Sequence, residues 1–218
     1  MIKLENVTKR YGDKLVYQEF NLNIEKGKIL VVLGESGAGK TTLLNVLGGL
    51  TDFEGNIKNK PEKISWVFQK NRLVPNLTAK ENVSLVNANA NASELLKQVG
   101  LEGQENALPK TLSAGMARRV AIARAIAYDA PLILMDEPFI NLDLGLKYTL
   151  LERVKKIVKE QGLTLVVVTH DIKEAVSLAD RIVVIADSKL VYDITEIKEN
   201  TEKELFGIMM DVSKEKLN

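Results

Sequence analysis

The chain of 218 residues has no cysteine, a single histidine (His170) and only five prolines. Without cysteine there is no disulfide framework, no Cys-ligated zinc finger and no thiol nucleophile, and one histidine excludes a His-rich metal site. Charge of one sign is also missing: 30 basic residues against 29 acidic ones leave a net +1, so no basic field points to nucleic acid or anionic lipid. Long hydrophobic runs are absent, since Leu163 to Val168 and Pro131 to Met135 fall far short of the roughly 18 to 20 residues that cross a bilayer. Met1-Ile-Lys-Leu-Glu5 lacks the charged-then-apolar plan of a signal peptide, so a cytoplasmic location is expected. What is present, 45% hydrophobic and 27% charged residues, suits a folded soluble chain long enough for one domain with an inserted subdomain.

Apolar and alternating segments predict strands near Ile2 to Val7, Val16 to Ile24, Ile29 to Leu33 and Ile64 to Phe68, with a helix from Lys40. From Thr78 to Arg124 the pattern turns helical and polar, and the Asn/Ala stretch Asn87 to Asn91 reads as a loop. After that, strand and helix alternate: Leu132 to Met135, helix Leu144 to Lys159, Leu163 to Thr169, helix Ile172 to Leu178, Ile182 to Ala186. This alternation implies a parallel sheet covered by helices on both faces. Leu205, Ile208, Met209 and Val212 have the spacing of an amphipathic terminal helix that packs.

Gly34-Glu35-Ser36-Gly37-Ala38-Gly39-Lys40-Thr41 fits G-x-x-x-x-G-K-[ST] between a predicted strand and a predicted helix. Glycines let backbone N–H groups turn inward, the helix N-terminus from Lys40 through Thr42 adds partial positive charge, Lys40 can reach the terminal phosphates and the Thr41 hydroxyl can ligate Mg²⁺. Asp136 and Glu137 end the apolar strand Leu132 to Met135, and ligands gather at the carboxyl ends of parallel strands. Asp136 therefore suits a second Mg²⁺ contact and Glu137 the polarisation of a water for attack on a γ-phosphate. A guanine reader is excluded, because the nearest match to Asn-Lys-x-Asp, Asn59-Lys60-Pro61-Glu62, comes early and ends in the wrong acid. It reads as a turn.

Leu112-Ser113-Ala114-Gly115-Met116, followed by Arg119-Val-Ala-Ile-Ala-Arg124, resembles the signature segment of ABC-type ATPases, usually Leu-Ser-Gly-Gly-Gln. With it come Tyr11 in Lys9-Arg-Tyr-Gly12, Gln69 after Trp66-Val-Phe, Asn141-Leu-Asp143, and Thr169-His170-Asp171, so that the family's motifs run in order from Ile2 to Tyr192. The resemblance implies that Tyr11 stacks on adenine, Gln69 touches Mg²⁺ and the attacking water, and His170 bonds the γ-phosphate. It further implies that Ser113 and Gly115 serve ATP held by a second subunit and that Asp143 crosses the dimer interface. Ser113 and Asp143 also suit the plainer role of helix N-caps, and Asp171-x-x-Glu174 looks like a capping box. Ala114 and Met116 depart from the family pattern by adding a Cβ and removing an amide.

The fold expected is α/β: a P-loop NTPase with a RecA-like core (about 1–69 and 129–218), an antiparallel β subdomain and an inserted helical subdomain (about 70–128). The resemblance implies an ATP-hydrolysing subunit of an ABC transporter, with ATP and Mg²⁺ as cofactors and a second copy of itself and separate membrane permease subunits as partners. An extracytoplasmic solute-binding protein is a further partner on that reading, nucleic acid is not, and the chain would sit peripherally on the inner face of the membrane. The segment Phe68 to Val83 looks most like importers of the nitrate, sulfonate and taurine group, although exporter and lipoprotein-release ATPases share its pattern, and an ABC-type ATPase of a cell-division regulatory complex is the alternative reading. Chromosome-organising ATPases are disfavoured because no sustained heptad is present.

Overall fold

The structure, a computed structural model, describes residues 1–140 and 142–215, with the backbone alone for 213–215. Asn141 of the Asn141-Leu-Asp143 motif therefore lies outside the described residues. Strands β1 (Ile2–Tyr11), β2 (Lys14–Ile24) and β3 (Ile29–Leu33) lead to helix α1 (Lys40–Gly48), then β4 (Glu54–Lys58) and β5 (Ile64–Val67). Helices α2 (Ala79–Ser84), α3 (Ala92–Gln98) and α4 (Ala114–Ala127) follow before β6 (Leu132–Asp136), α5 (Leu144–Glu160), β7 (Thr164–Thr169), α6 (Ile172–Leu178), β8 (Arg181–Ala186), β9 (Lys189–Ile194) and α7 (Thr201–Glu215).

The main sheet is ordered β5-β6-β7-β3-β8-β9 and is parallel except for its last strand, which runs antiparallel to β8. Its central strands β3, β6 and β7 are buried along their whole length, as continuous Val/Ile/Leu runs covered on both faces must be. Alternation divides these runs between two cores. Val31, Leu33, Ile133, Met135, Leu165 and Val167 pack in one with α4 and α5, while Leu30, Val32, Leu132, Leu134, Val166 and Val168 pack in the other with α1 and strands β1 and β2. The second sheet, β2-β1-β4, is antiparallel.

Register decides where the functional residues emerge. Leu33 pairs with Thr169 and Asp136 with Val168, so the chain leaves β3, β6 and β7 at one edge of the sheet, at Gly34, Glu137 and His170.

Two strands, β4 and β9, one in each sheet, escape the hydrophobic pattern and are not among the segments it predicts. β4 has one apolar residue, Ile57, among turn-forming Gly55 and Asn56, and exists because its backbone pairs with β1. β9 is a mostly exposed edge strand, so no alternation marks it. The Asn87 to Asn91 loop is tied to its surroundings: the Asn87 amide donates to Ala127 O at 3.1 Å, and Asn91 caps α3 by accepting from Glu94 N at 3.1 Å.

Candidate functional site

The phosphate loop is held from below. Gly39, at φ 100°, caps α1, and a Cβ there would lie 2.8 Å from the Tyr17 hydroxyl. A Cβ on Gly34 would lie 2.4 Å from Ile185 O, so β8 passes too close for any other residue. Fully buried Tyr17 donates to Gly39 O at 2.8 Å, and burial pushes its phenol pKa far up, so it remains a donor. Lys40, also buried, donates to Gly34 O at 2.7 Å and Glu35 O at 2.8 Å, folded back along the rim of the loop.

The acidic strand end faces this loop. Thr41 Oγ1 donates toward the two Asp136 carboxylate oxygens at 3.2 and 3.1 Å, across β7, which separates β3 from β6. Burial raises the Asp136 carboxyl above the usual carboxylate range and neighbouring Glu137 adds to that, while Thr41, Lys40 and Arg118 pull the other way. Glu137 has φ 47°, the left-handed region that a side chain rarely adopts, and its N–H donates to Val168 O at 3.0 Å. In that conformation Glu137 Oε1 lies 2.9 Å from His170 Nδ1.

The corner carrying His170 is braced by a polar network instead of the expected capping box. Asp171 caps α6 by accepting from Lys173 N and Glu174 N, but Glu174 does not reach back to the Asp171 backbone. Its carboxylate is taken by Thr169 Oγ1, which donates at 2.7 Å, and by Lys147 of α5 at 2.6 Å, while Asp171 N donates to Thr169 Oγ1. A reciprocal capping box does form elsewhere, between Thr78 and Glu81 at α2.

Of the residues singled out from sequence, Tyr11, Glu35, Ser36, Gly37, Gly39, Lys40, Thr41, Thr42, Gln69, Asp136, Glu137 and His170 line one cleft of about 770 Å³. That volume is within the range of small-molecule sites. Ala38 and Gly34 are buried in the loop itself. Ser113, Gly115 and Asp143 lie outside the cleft. Ser113 caps α4, accepting from Met116 N at 3.2 Å, whereas Asp143 occupies the N-cap position of α5 without a side-chain cap bond. Met116 packs against the core beneath α4. Lys14, Val16, Ile140, Ser188 and Met209 also border the cleft. Sequence spacing marked Met209 only as a packing position on α7, and Ser188 sits in the β8–β9 turn, which no motif flags.

A glycine-rich loop between a central parallel strand and its helix, opposed by an acid from a second strand, makes this a P-loop nucleoside triphosphatase. The chain belongs to the ABC transporter family, whose description matches residues 17–140, and it is an ATP-hydrolysing subunit of that family. It is 38% identical over 214 residues to an aliphatic sulfonates import ATP-binding protein of Paraburkholderia xenovorans, covering 96% of this chain and 86% of that protein. A similarly named protein of Pseudomonas syringae pv. tomato is 39% identical over 181 residues, 81% of this chain and 78% of its own length. Among solved structures, a dimeric post-hydrolysis state of the ATP-binding cassette MJ0796 with ADP and Pi matches at TM-score 0.81 and 35% identity, covering 90% of this chain and 99% of that one. Among the described residues no helix is long and apolar enough to cross a membrane.

Proposed function

We propose that this subunit powers import of a small solute, an organic sulfonate or related oxyanion, through separate membrane permease subunits, working as an ATP-bridged dimer on the inner face of the membrane. A solute-binding protein outside the membrane would deliver the cargo. The identity with sulfonate import subunits over nearly the whole chain supports the cargo class and direction, and the dimeric cassettes support self-association.

The observation that carries the hydrolytic reading is the convergence of Thr41 with Asp136 and of Glu137 with His170 in one cleft. The Thr41 hydroxyl and the Asp136 carboxylate are hard oxygen ligands within about one coordination shell of each other, a donor set that fits Mg²⁺. When bound, that ion would offset charge on the β- and γ-phosphates. The Lys40 ammonium exchanges the Gly34 and Glu35 carbonyls for phosphate oxygens, and the loop N–H groups cradle the β-phosphate. Glu137 accepts a hydrogen bond from the attacking water and orients it in line with the γ-phosphate. His170 steadies that carboxylate and faces the γ-phosphate, and Gln69, which lines the same cleft, would help hold the water and the metal. Tyr11, 46% exposed at the end of β1 with Lys9 Nζ 4.5 Å over its ring, offers a face for adenine.

Ser113 and Gly115 at the head of α4, together with Asp143, close the second subunit's site, since a helix N-terminus favours a phosphate. The experiment is titration calorimetry of the purified chain with Mg-ATP. Lys40→Ala is expected to abolish binding, and undiminished affinity would refute the site.

A further inference from the structure

Arg118 is a buried cation to which the proposed reaction gives no part. Its side chain, 5% exposed, leaves α4 and ends on backbone: Nη1 donates to Phe68 O at 2.5 Å and Nη2 donates to Gln69 O. Arg124, six residues along the same helix, continues the pattern by donating to Asn71 O at 3.0 Å and Arg72 O at 2.9 Å. The two guanidinium groups thus hold the main chain on both sides of Lys70, in the segment that presents Gln69 to the cleft.

The segment is pinned from its outer side as well. Phe68 stacks on Trp66 with centroids 4.9 Å apart and planes 6° from parallel, and the Arg72 guanidinium covers the Phe68 ring at 3.8 Å. A guanidinium withdrawn from water needs its hydrogen bonds, and this one finds neutral carbonyls in a fork that only a planar, rigid donor set matches. Arg118 also stands five residues beyond Ser113, about 7.5 Å along a rigid helix from the end that faces the second subunit's ATP on the reading above.

We infer that Arg118 is a positioning residue for hydrolysis, clamping the Phe68 and Gln69 carbonyls so that Gln69 is aimed into the cleft and the Gln69 loop moves as one body with the Ser113 end of α4. The inference rests on the roles proposed for Gln69 and Ser113.

The test is a double-mutant cycle on the full chain, measuring ATP affinity and hydrolysis for Arg118→Met, Arg118→Lys, Gln69→Ala and the combinations. Arg118→Met is expected to slow kcat about tenfold with ATP affinity and KM changed less than about twofold, and Arg118→Lys to recover part of the loss. On the Gln69→Ala background the same change should cost less than about twofold more, because the clamp acts through that residue. Trp66, the single tryptophan, stacks on Phe68 and reports the segment directly: ATP is expected to change its emission in the parent and to leave it unchanged in Arg118→Met. Full additivity, no loss of kcat, or a parallel fall of affinity and kcat that lysine does not relieve would overturn the clamp. If Arg118→Met does not fold, Arg118→Lys against Gln69→Ala decides the same question. If Gln69→Ala hydrolyses normally, the reading of Gln69 fails and the inference falls with it, whereas a slow Gln69→Ala beside a normal Arg118→Met removes the clamp alone.

Discussion

Replacing Lys147 by methionine keeps the length of the side chain and deletes its charge from the network behind His170. Lys147 Nζ donates to Asp171 Oδ2 at 2.7 Å and to Glu174 Oε1 at 2.6 Å, with side-chain exposures of 15% for the lysine, 33% for Asp171 and 5% for Glu174. Removing one partner from a buried ion pair costs about 3 to 5 kcal/mol, and the partial exposure of Asp171 puts this case at the lower end, about 3 kcal/mol. For a domain of this size each kcal/mol moves the melting temperature by roughly 2 to 4 °C, so Lys147→Met should melt roughly 6 to 12 °C below the parent.

The loss should also depend on pH. Burial works to raise the Asp171 carboxyl, but the hydrogen bond from Lys147 and those from Glu174 N and Lys173 N hold it below the usual carboxylate range. A carboxyl depressed in the folded state contributes stability that is fully present above its unfolded pKa of about 3.9 and is lost as pH falls through the folded value. The deficit of the variant is therefore constant from neutral pH to about 5 and narrows below about 4, where the parent loses what the variant never had. Thermal melts of nucleotide-free protein across that range test both parts. A deficit under about 1 kcal/mol, or one that widens on acidification, would refute the argument.

Tyr17→Phe removes a buried donor from Gly39 O, which still accepts from Leu43 N at 2.9 Å. It should cost about 1 kcal/mol of stability and a few-fold of ATP affinity, and melts and calorimetry that show neither would mean the hydroxyl does not support the loop. Ala114→Gly with Met116→Gln should strengthen ATP-dependent association by up to about tenfold, since one Cβ is removed at the head of α4 and one amide is gained. Because Met116 packs against the core, the double variant should also melt lower. Sedimentation on a hydrolysis-deficient background with unchanged or weaker association would refute it.

What the sequence made legible follows from where the physics is local. The strand, loop and helix around Gly34 to Thr42 and the buried run before Asp136 announce themselves, because apolar continuity and glycine spacing are properties of short windows. β4 and β9 do not, since backbone pairing with β1 and β8 forms them and their side chains stay largely in water. Asp171 and Glu174 have the spacing of a capping box, yet Thr169 takes the Asp171 N–H and one Glu174 oxygen, and Lys147, 27 residues from Glu174, takes the other, a partner no local window contains. The carbonyl contacts of Arg118 and the place of Met209 beside the cleft likewise exist only once the sheet has brought distant segments together.

The central claim is that Glu137 drives hydrolysis in a site two copies share across ATP. Sedimentation of Glu137→Gln with and without Mg-ATP tests it most directly. The account predicts a variant that binds ATP with parental affinity, does not hydrolyse it, and is monomeric without nucleotide but dimeric with it. Parental turnover by the variant, or the same association state with and without ATP, would contradict it.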